Sequence, residues 1–170
     1  FCGYSSERSE KIDCGVKSMI KRVVDPQEFR KLLDEIFILF DYENKNQGHR
    51  LVKHDKDHIF KAFGNNSILT WDFFVWGNLN SSDKFDAVIA FVNHKNEKFG
   101  EEIFTEYIWL SKNPRMGQRL LGTALKFARD KDFKYVLMSC VDAHPNSDKV
   151  AKFYKKMGFL KDSETYIAKL

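Results

Sequence analysis

The stretch 103–141 constrains the chain most. Residues 103–110 are rich in β-branched and aromatic side chains; Gly117, Leu120, Leu121, Ala124, Leu125 and Ala128 then recur at helical spacing, and residues 135–141 return to an apolar run. Strand, helix, strand in that order makes a right-handed crossover whose two strands lie parallel in one sheet. Two similar runs precede it, 68–76 and 85–92, and the connections 77–84 and 93–102 carry Asn, Ser, Asp and Gly. They are short enough to join antiparallel neighbours. The predicted fold is α/β of the α+β kind: a mixed, mostly antiparallel central sheet that ends in a parallel strand pair, with flanking helices.

The rest of the chain fits around that sheet. Residues 19–24 open like a first strand, and Asp25 then stands as a cap before Pro26, with Glu28 three residues on. Phe29, Leu32, Leu33, Ile36, Phe37 and Phe40 follow at helical spacing, so a helix is predicted to about residue 40, with a polar loop over 41–54. A shorter helix begins near Asp55, with Ile59, Phe60 and Phe63 inward and Gly64 near its end. After the parallel pair comes a helix over 147–157, closed by Gly158, and a last strand over 165–170.

At 170 residues, with 43% hydrophobic and 31% charged residues, one domain can bury a core without staples. It is assigned to 19–170, with 1–18 as a polar extension outside the fold, either foreign to the protein or added ahead of a start at Met19. The longest apolar runs, 36–40 and 88–92, are far short of the ~20 residues of a membrane span. Cys2, Cys14 and Cys140 make an odd set, which fits free thiols and a cytoplasmic location. The net charge of +4 is spread along the sequence without basic blocks, which speaks against nucleic acid as a partner.

The segment Phe153-Tyr154-Lys155-Lys156-Met157-Gly158-Phe159 is similar to the Leu-Tyr-x-Lys-x-Gly-Phe ending of the fourth helix in the GNAT superfamily, the Gcn5-related N-acetyltransferases. The element order over 19–170 resembles that family too. Its phosphate loop, Gln/Arg-x-x-Gly-x-Gly/Ala, has two candidate registers here. Residues 119–124 match letter for letter but leave a helix of roughly 13 Å beside strands of about 20 Å. Residues 112–117 match less well, with Lys112 and Arg115 at the Gln/Arg and first-glycine positions, yet give a helix of about 20 Å with the apolar stripe on the sheet. The second register is adopted.

The resemblance implies a GNAT-like acyl-CoA N-acyltransferase fold with acetyl-CoA as co-substrate. Its pantetheine arm would lie where residues 109–111 and 140–142 splay apart. Trp109, Leu110, Ser111, Lys112, Arg115, Met116, Gly117, Gln118, Ser147 and Tyr154 would then contact the cofactor. At that loop, helix-start amides and nearby cations suit a diphosphate, and basic residues solvating a helix face are the plainer alternative. Tyr154 matches the tyrosine that protonates the departing thiolate; packing between Val150 and Met157 is the alternative.

A base must also take a proton from the amine. Under strict alternation Glu102 and Glu106 share a strand face, with Phe104 between them and Ile108 beyond, and apolar neighbours raise a carboxylate's pKa. Glu106 is nearer the splay and is preferred; a bulge would bring Glu101 to the same face. Exposed carboxylates on an open sheet face are the competing account. His144 before Pro145 reads better as a turn residue than as a base, and Cys140 as packing. Ser147 also suits a helix cap. His54 and His58 lack a third ligand, so no metal is assigned. Trp71, Phe73, Phe74, Trp76, Phe85 and Phe91 read as sheet core in preference to a base-stacking platform.

The function expected is transfer of an acetyl group from acetyl-CoA to a primary amine, on a small molecule or a protein. The rival is a GNAT-fold module that binds acyl-CoA, or regulates a partner, without turnover. A homodimer is left open.

Overall fold

The computed structural model describes residues 18–47, 55–63, 73–95, 100–139 and 147–161, with the backbone alone at 39–47, 63 and 147. The order is β1 (Met19–Val23), α1 (Pro26–Gln47), α2 (Lys56–Phe63), β2 (Phe73–Leu79), β3 (Phe85–Lys95), β4 (Glu102–Ser111), α3 (Pro114–Asp130), β5 (Tyr135–Leu137) and α4 (Ser147–Lys156). The strands form one sheet in the order β1-β2-β3-β4-β5. The first three pairings are antiparallel, and β4 with β5 is parallel.

Each face of the sheet has its own core. Alternation along β2 sends Phe73, Val75 and Leu79 to one side, where they meet Phe29, Leu32, Leu33 and Ile36 of α1 and Ile59 of α2. Phe74 and Trp76 go to the other, against Leu120, Leu121, Ala124, Leu125 and Ala128 of α3. Burying each leucine contributes about 1.5–3 kcal/mol, so this stripe fixes how α3 is rotated on the sheet. Phe91 and Phe104 stack beneath it at 4.2 Å, and Phe104 stacks on Phe133 at 4.9 Å. Of the rings weighed as a base-stacking platform, Phe73, Phe74, Trp76, Phe85 and Phe91 are all buried; Trp71 lies outside the described residues.

Several boundaries differ from the sequence expectation. Asp25 caps α1 as expected, its Oδ1 accepting the Glu28 N–H at 2.9 Å. The helix runs on to Gln47, well past residue 40, because no glycine or proline interrupts the polar stretch before Gly48. β3 reaches Lys95, since β4 pairs with it out to Glu102. β5 is three residues long, with Tyr135 and Leu137 exposed, and is not the buried seven-residue strand expected. The tail of that prediction, the start of the 68–76 strand, the extension 1–17 and the last strand 165–170 fall outside the described residues.

One irregularity matters for the site. The β3–β4 register jumps from Ala90 opposite Ile108 to Phe91 opposite Glu106, which leaves Tyr107 as the extra residue of a bulge. Tyr107 meets Phe73 edge-on in the α1 core, and Ile108 also lies there. Beyond the bulge Trp109 packs on the α3 side. Strict alternation therefore holds only up to Glu106, and Ile108 does not share its face.

Candidate active site

β4 and β5 pair at Ile103 with Tyr135, Phe104 with Val136 and Thr105 with Leu137. β5 then ends while β4 continues to Ser111, so among the described residues the ladder stops after Thr105 and Leu137; 140–142, the other side of the expected splay, lie outside them. Side chains take over from the backbone ladder there. Glu106 Oε2 accepts the Ser139 N–H at 3.0 Å, and the Tyr154 hydroxyl donates to the Ser139 carbonyl at 3.1 Å. A single residue past β5 thus has both peptide groups held, one by β4 and one by α4. Burial pushes the Glu106 carboxyl above the usual carboxylate range, against the opposing pull of its hydrogen bonds from Ser139.

Tyr154 is buried, although it sits on a helix whose other face is exposed. Its ring stacks on Trp109 at 6.0 Å and contacts Phe159 at 5.6 Å. Gly158, at φ 89, turns the chain out of α4, and the Phe159 N–H returns to the Tyr154 carbonyl at 3.0 Å. This is the physical content of the Gly-Phe ending: a left-handed residue that brings an aromatic ring back onto the tyrosine.

Trp109 joins the two helices. Its Nε1 donates to the Gly117 carbonyl at 3.2 Å, while its ring also lies 6.2 Å from Phe153. A Cβ on Gly117 would sit 3.3 Å from both Trp109 Nε1 and Ser111 Cβ. The glycine therefore lets α3 pack closely on β4.

The turn into α3 departs from the expectation of free amides. Asn113 is the N-cap and its side chain accepts the Arg115 N–H at 3.0 Å. Pro114 has no N–H. The Asn113 N–H donates to Ser111 Oγ at 3.2 Å, and the Gly117 N–H returns to the Asn113 carbonyl at 3.0 Å. Ser111 donates its own hydroxyl to that carbonyl at 2.7 Å, and the Lys112 N–H reaches the Asp86 carbonyl at 3.4 Å. Among the described residues the Met116 amide is the one donor of this turn without a partner. Arg115 is helical and has no positive φ, so it carries no backbone strain.

The remaining candidates are scattered. Glu102 is exposed at the start of β4, four residues or about 13 Å of strand from Glu106. Glu101 is exposed outside the strand, and the bulge lies beyond Glu106, so it brings no new carboxylate to that face. The Leu110 side chain belongs to the α1 core, leaving only its backbone near the splay. Lys112, Arg115 and Gln118 are exposed, and Met116 packs on the α3 core. Ser147 opens α4. His58 is exposed near the start of α2, where Asp55 caps the helix. His54, Cys140 and His144 lie outside the described residues. Ser139 and Asn113 were missed as site residues. The sequence signal for Asn113 was present, an asparagine directly before a proline at a helix start; Ser139 acts through its backbone and leaves none.

No protein-family model matches the chain, and no curated protein matches it in sequence. Solved structures do match in shape. One is an aminoglycoside acetyltransferase from an uncultured soil metagenomic sample, in complex with sisomicin, at TM-score 0.62 and 16% identity over 90% of this chain and 97% of that one. Another is a predicted acetyltransferase with acetyl-CoA from Clostridium acetobutylicum, at 0.65 and 12% over 89% and 96%. A third is a ribosomal-protein-alanine N-acetyltransferase from Brucella melitensis biovar Abortus 2308, at 0.60 and 10% over 90% and 99%. The chain has the fold of the GNAT acetyltransferases.

Proposed function

We propose that this protein is an acyl-CoA-dependent N-acyltransferase that moves an acetyl group from acetyl-CoA to a primary amine by direct attack in a ternary complex. The observation that carries the proposal is the meeting of Glu106 and Tyr154 on the Ser139 peptide where β4 and β5 separate. It puts a carboxylate with a raised pKa and a phenol on the two consecutive peptide groups that flank Ser139, where the β4–β5 ladder ends.

The fit of a CoA thioester to these residues is uneven. Past Thr105, β4 has no neighbouring strand on its β5 side among the described residues, so that edge can bond an extended arm as another strand would. The α3 turn is less ready, since its amides serve its own cap and only that of Met116 is left. Lys112 and Arg115 are the side chains placed to meet a diphosphate there.

A bound thioester supplies the activated acyl group. The chain's own residues do the proton work. Glu106 takes the proton from the ammonium, directly or through a water, and its raised pKa brings it nearer that task than an ordinary carboxylate. Tyr154 gives its hydroxyl proton to the departing sulfur. At rest that proton is bonded to the Ser139 carbonyl, so the phenol must exchange one acceptor for the other. β4 amides on the open edge polarise the carbonyl.

Tyr154→Phe tests the assignment, with thiol release measured over a panel of amines. A fall of about 10²–10⁴-fold in kcat with cofactor affinity kept is expected for loss of a general acid; unchanged turnover removes Tyr154 from the role. The occupied α3 turn favours a second reading, a GNAT-fold module without turnover. No transfer to any amine, whether acetyl-CoA binds or not, would select it.

A further inference from the structure

The cations that look dispersed along the sequence are gathered by the fold. α3 carries Arg115, Arg119, Lys126 and Arg129 against a single carboxylate, Asp130; α4 carries Lys149, Lys152, Lys155 and Lys156 against Asp148. The two helices therefore hold a surplus of six positive charges in a chain whose total is +4, so everything else is net acidic by two. Both helices pack on the same side of the sheet, α3 through Leu120, Leu121, Ala124 and Ala128 and α4 through Phe153.

Helical geometry aligns these groups. At 100° per residue, Arg115, Arg119, Lys126 and Arg129 fall within about 40° of a common line, a row roughly 21 Å long. All eight cations are exposed, and none has a carboxylate within ion-pair distance among the described residues. The opposite side of the protein is different: Arg30 pairs with Asp34 and Asp57, Lys31 with Asp83, and Lys56 with Asp34. Of the described cations on α1 and α2, only Lys61 lacks such a partner.

We infer that the α3 and α4 side is a docking surface for the phosphate backbone of duplex nucleic acid, bound without regard to sequence. A duplex carries one charge per ~1.7 Å of its axis, so the α3 row runs alongside about a dozen phosphates and faces those on the near side. Among the described residues the exposed large apolar side chains Tyr135 and Leu137 lie on β5 and Met157 and Leu160 just past α4, and none lies among the cations within either helix. The charged faces of the two helices therefore carry no apolar cluster of their own for gripping a peptide or entering a membrane. Backbone phosphates need only charge and donors. The surface shares Arg115 with the proposed diphosphate turn, but duplex binding is no step of acyl transfer, because no thioester takes part in the interaction.

The test is anisotropy of a labelled random-sequence duplex with the full chain between 50 and 200 mM salt. With about five of the eight cations engaged, the log–log salt slope is about −4.5 and affinity falls on the order of 500-fold over that range. The triple variant Lys126→Gln, Lys149→Gln, Lys152→Gln, all surface positions away from the proposed site, reduces the slope by about 1.7 if engagement is even over the eight and by about 2.7 if all three are engaged. Lys61→Gln with Lys84→Gln on other surfaces leaves it alone. No duplex binding at 50 mM salt overturns the inference. So does an unchanged slope in the triple variant, an equal effect of the control pair, or tighter binding to anionic phospholipid vesicles. Acetyl-CoA binding, measured separately, reports on the transferase proposal whichever way the duplex result falls.

Discussion

Asn113→Gly sets two uses of one backbone amide against each other. In the structure the Arg115 N–H donates to the Asn113 side chain at 3.0 Å. A diphosphate entering this turn must either forgo that donor or displace the cap. Forgoing a hydrogen bond to a charged group costs about 1.5–3 kcal/mol. Displacing an asparagine cap costs about 1 kcal/mol, with a range of 0.5–2. Displacement is cheaper, so the cap's own strength bounds what its removal can return. Glycine at the cap costs the helix only a few tenths of a kcal/mol, and φ −117 at this position is open to any residue. Acetyl-CoA should bind the variant about 3- to 10-fold more tightly. The melting temperature should fall by no more than roughly 1 °C, since 1 kcal/mol moves a domain of this size by about 2–4 °C. Asn113→Ala frees the same donor at the full cost of the cap, so it should tighten binding similarly and lower the midpoint by about 2–4 °C. Isothermal titration with acetyl-CoA and CoA reads the affinities directly. Equal or weaker binding in both variants would refute the idea that the cap competes with the ligand.

Glu106→Gln keeps an oxygen to accept the Ser139 amide but removes the charge, so kcat should fall by about 10²–10⁴-fold and the alkaline rise in the pH–rate profile should vanish; a retained rise means another group is the base. Because burial raises the Glu106 pKa in the folded state, its contribution to stability is present in full below the unfolded carboxylate's pKa and is lost as pH climbs through the folded one. Denaturant titrations should therefore show Glu106→Gln gaining on the native protein from pH 4 to pH 8, and a difference independent of pH contradicts the assigned burial. Gly77→Ala would drive a Cβ into the Phe85 ring and place it 2.8 Å from Leu32 Cδ1. Overpacking of that kind costs about 1–3 kcal/mol, and a melting temperature within 1 °C of the native value would mean the α1 core is looser than described.

How much of this could be read from the sequence depends on whether the signal was local. The α3 register was legible because Leu120, Leu121, Ala124 and Ala128 make one stripe on a helix long enough to span the neighbouring strands. The extension of α1 to Gln47 was not, since DYENKNQ has no apolar stripe to show its helicity and no breaker to end it. Glu106 is preferred over Glu102 for its place nearer the splay, and the apolar neighbours of that strand point to the raised pKa that burial gives it. The bulge at Tyr107 was invisible: an extra residue opposite Phe91 is a property of pairing, not of β4 alone. It decides that Trp109, and not Ile108, faces α3 and α4. Asn113 shows the converse error, a local cap signal passed over because the resemblance had already assigned those amides to a ligand. The charged face of α3 and α4 was hidden for a third reason. Cations spaced three, four and seven apart look scattered in a line of letters and align only on a helix.

The central claim is that the folded chain takes an acyl-CoA where β4 and β5 part. A thermal unfolding series with acetyl-CoA, from micromolar to millimolar, measures it most directly. Binding to the folded state predicts a midpoint that climbs continuously with ligand, corresponding to about 2.7 kcal/mol once the ligand reaches a hundred times its Kd. A midpoint that stays fixed through millimolar acetyl-CoA, in the native protein and in Asn113→Gly alike, would contradict it.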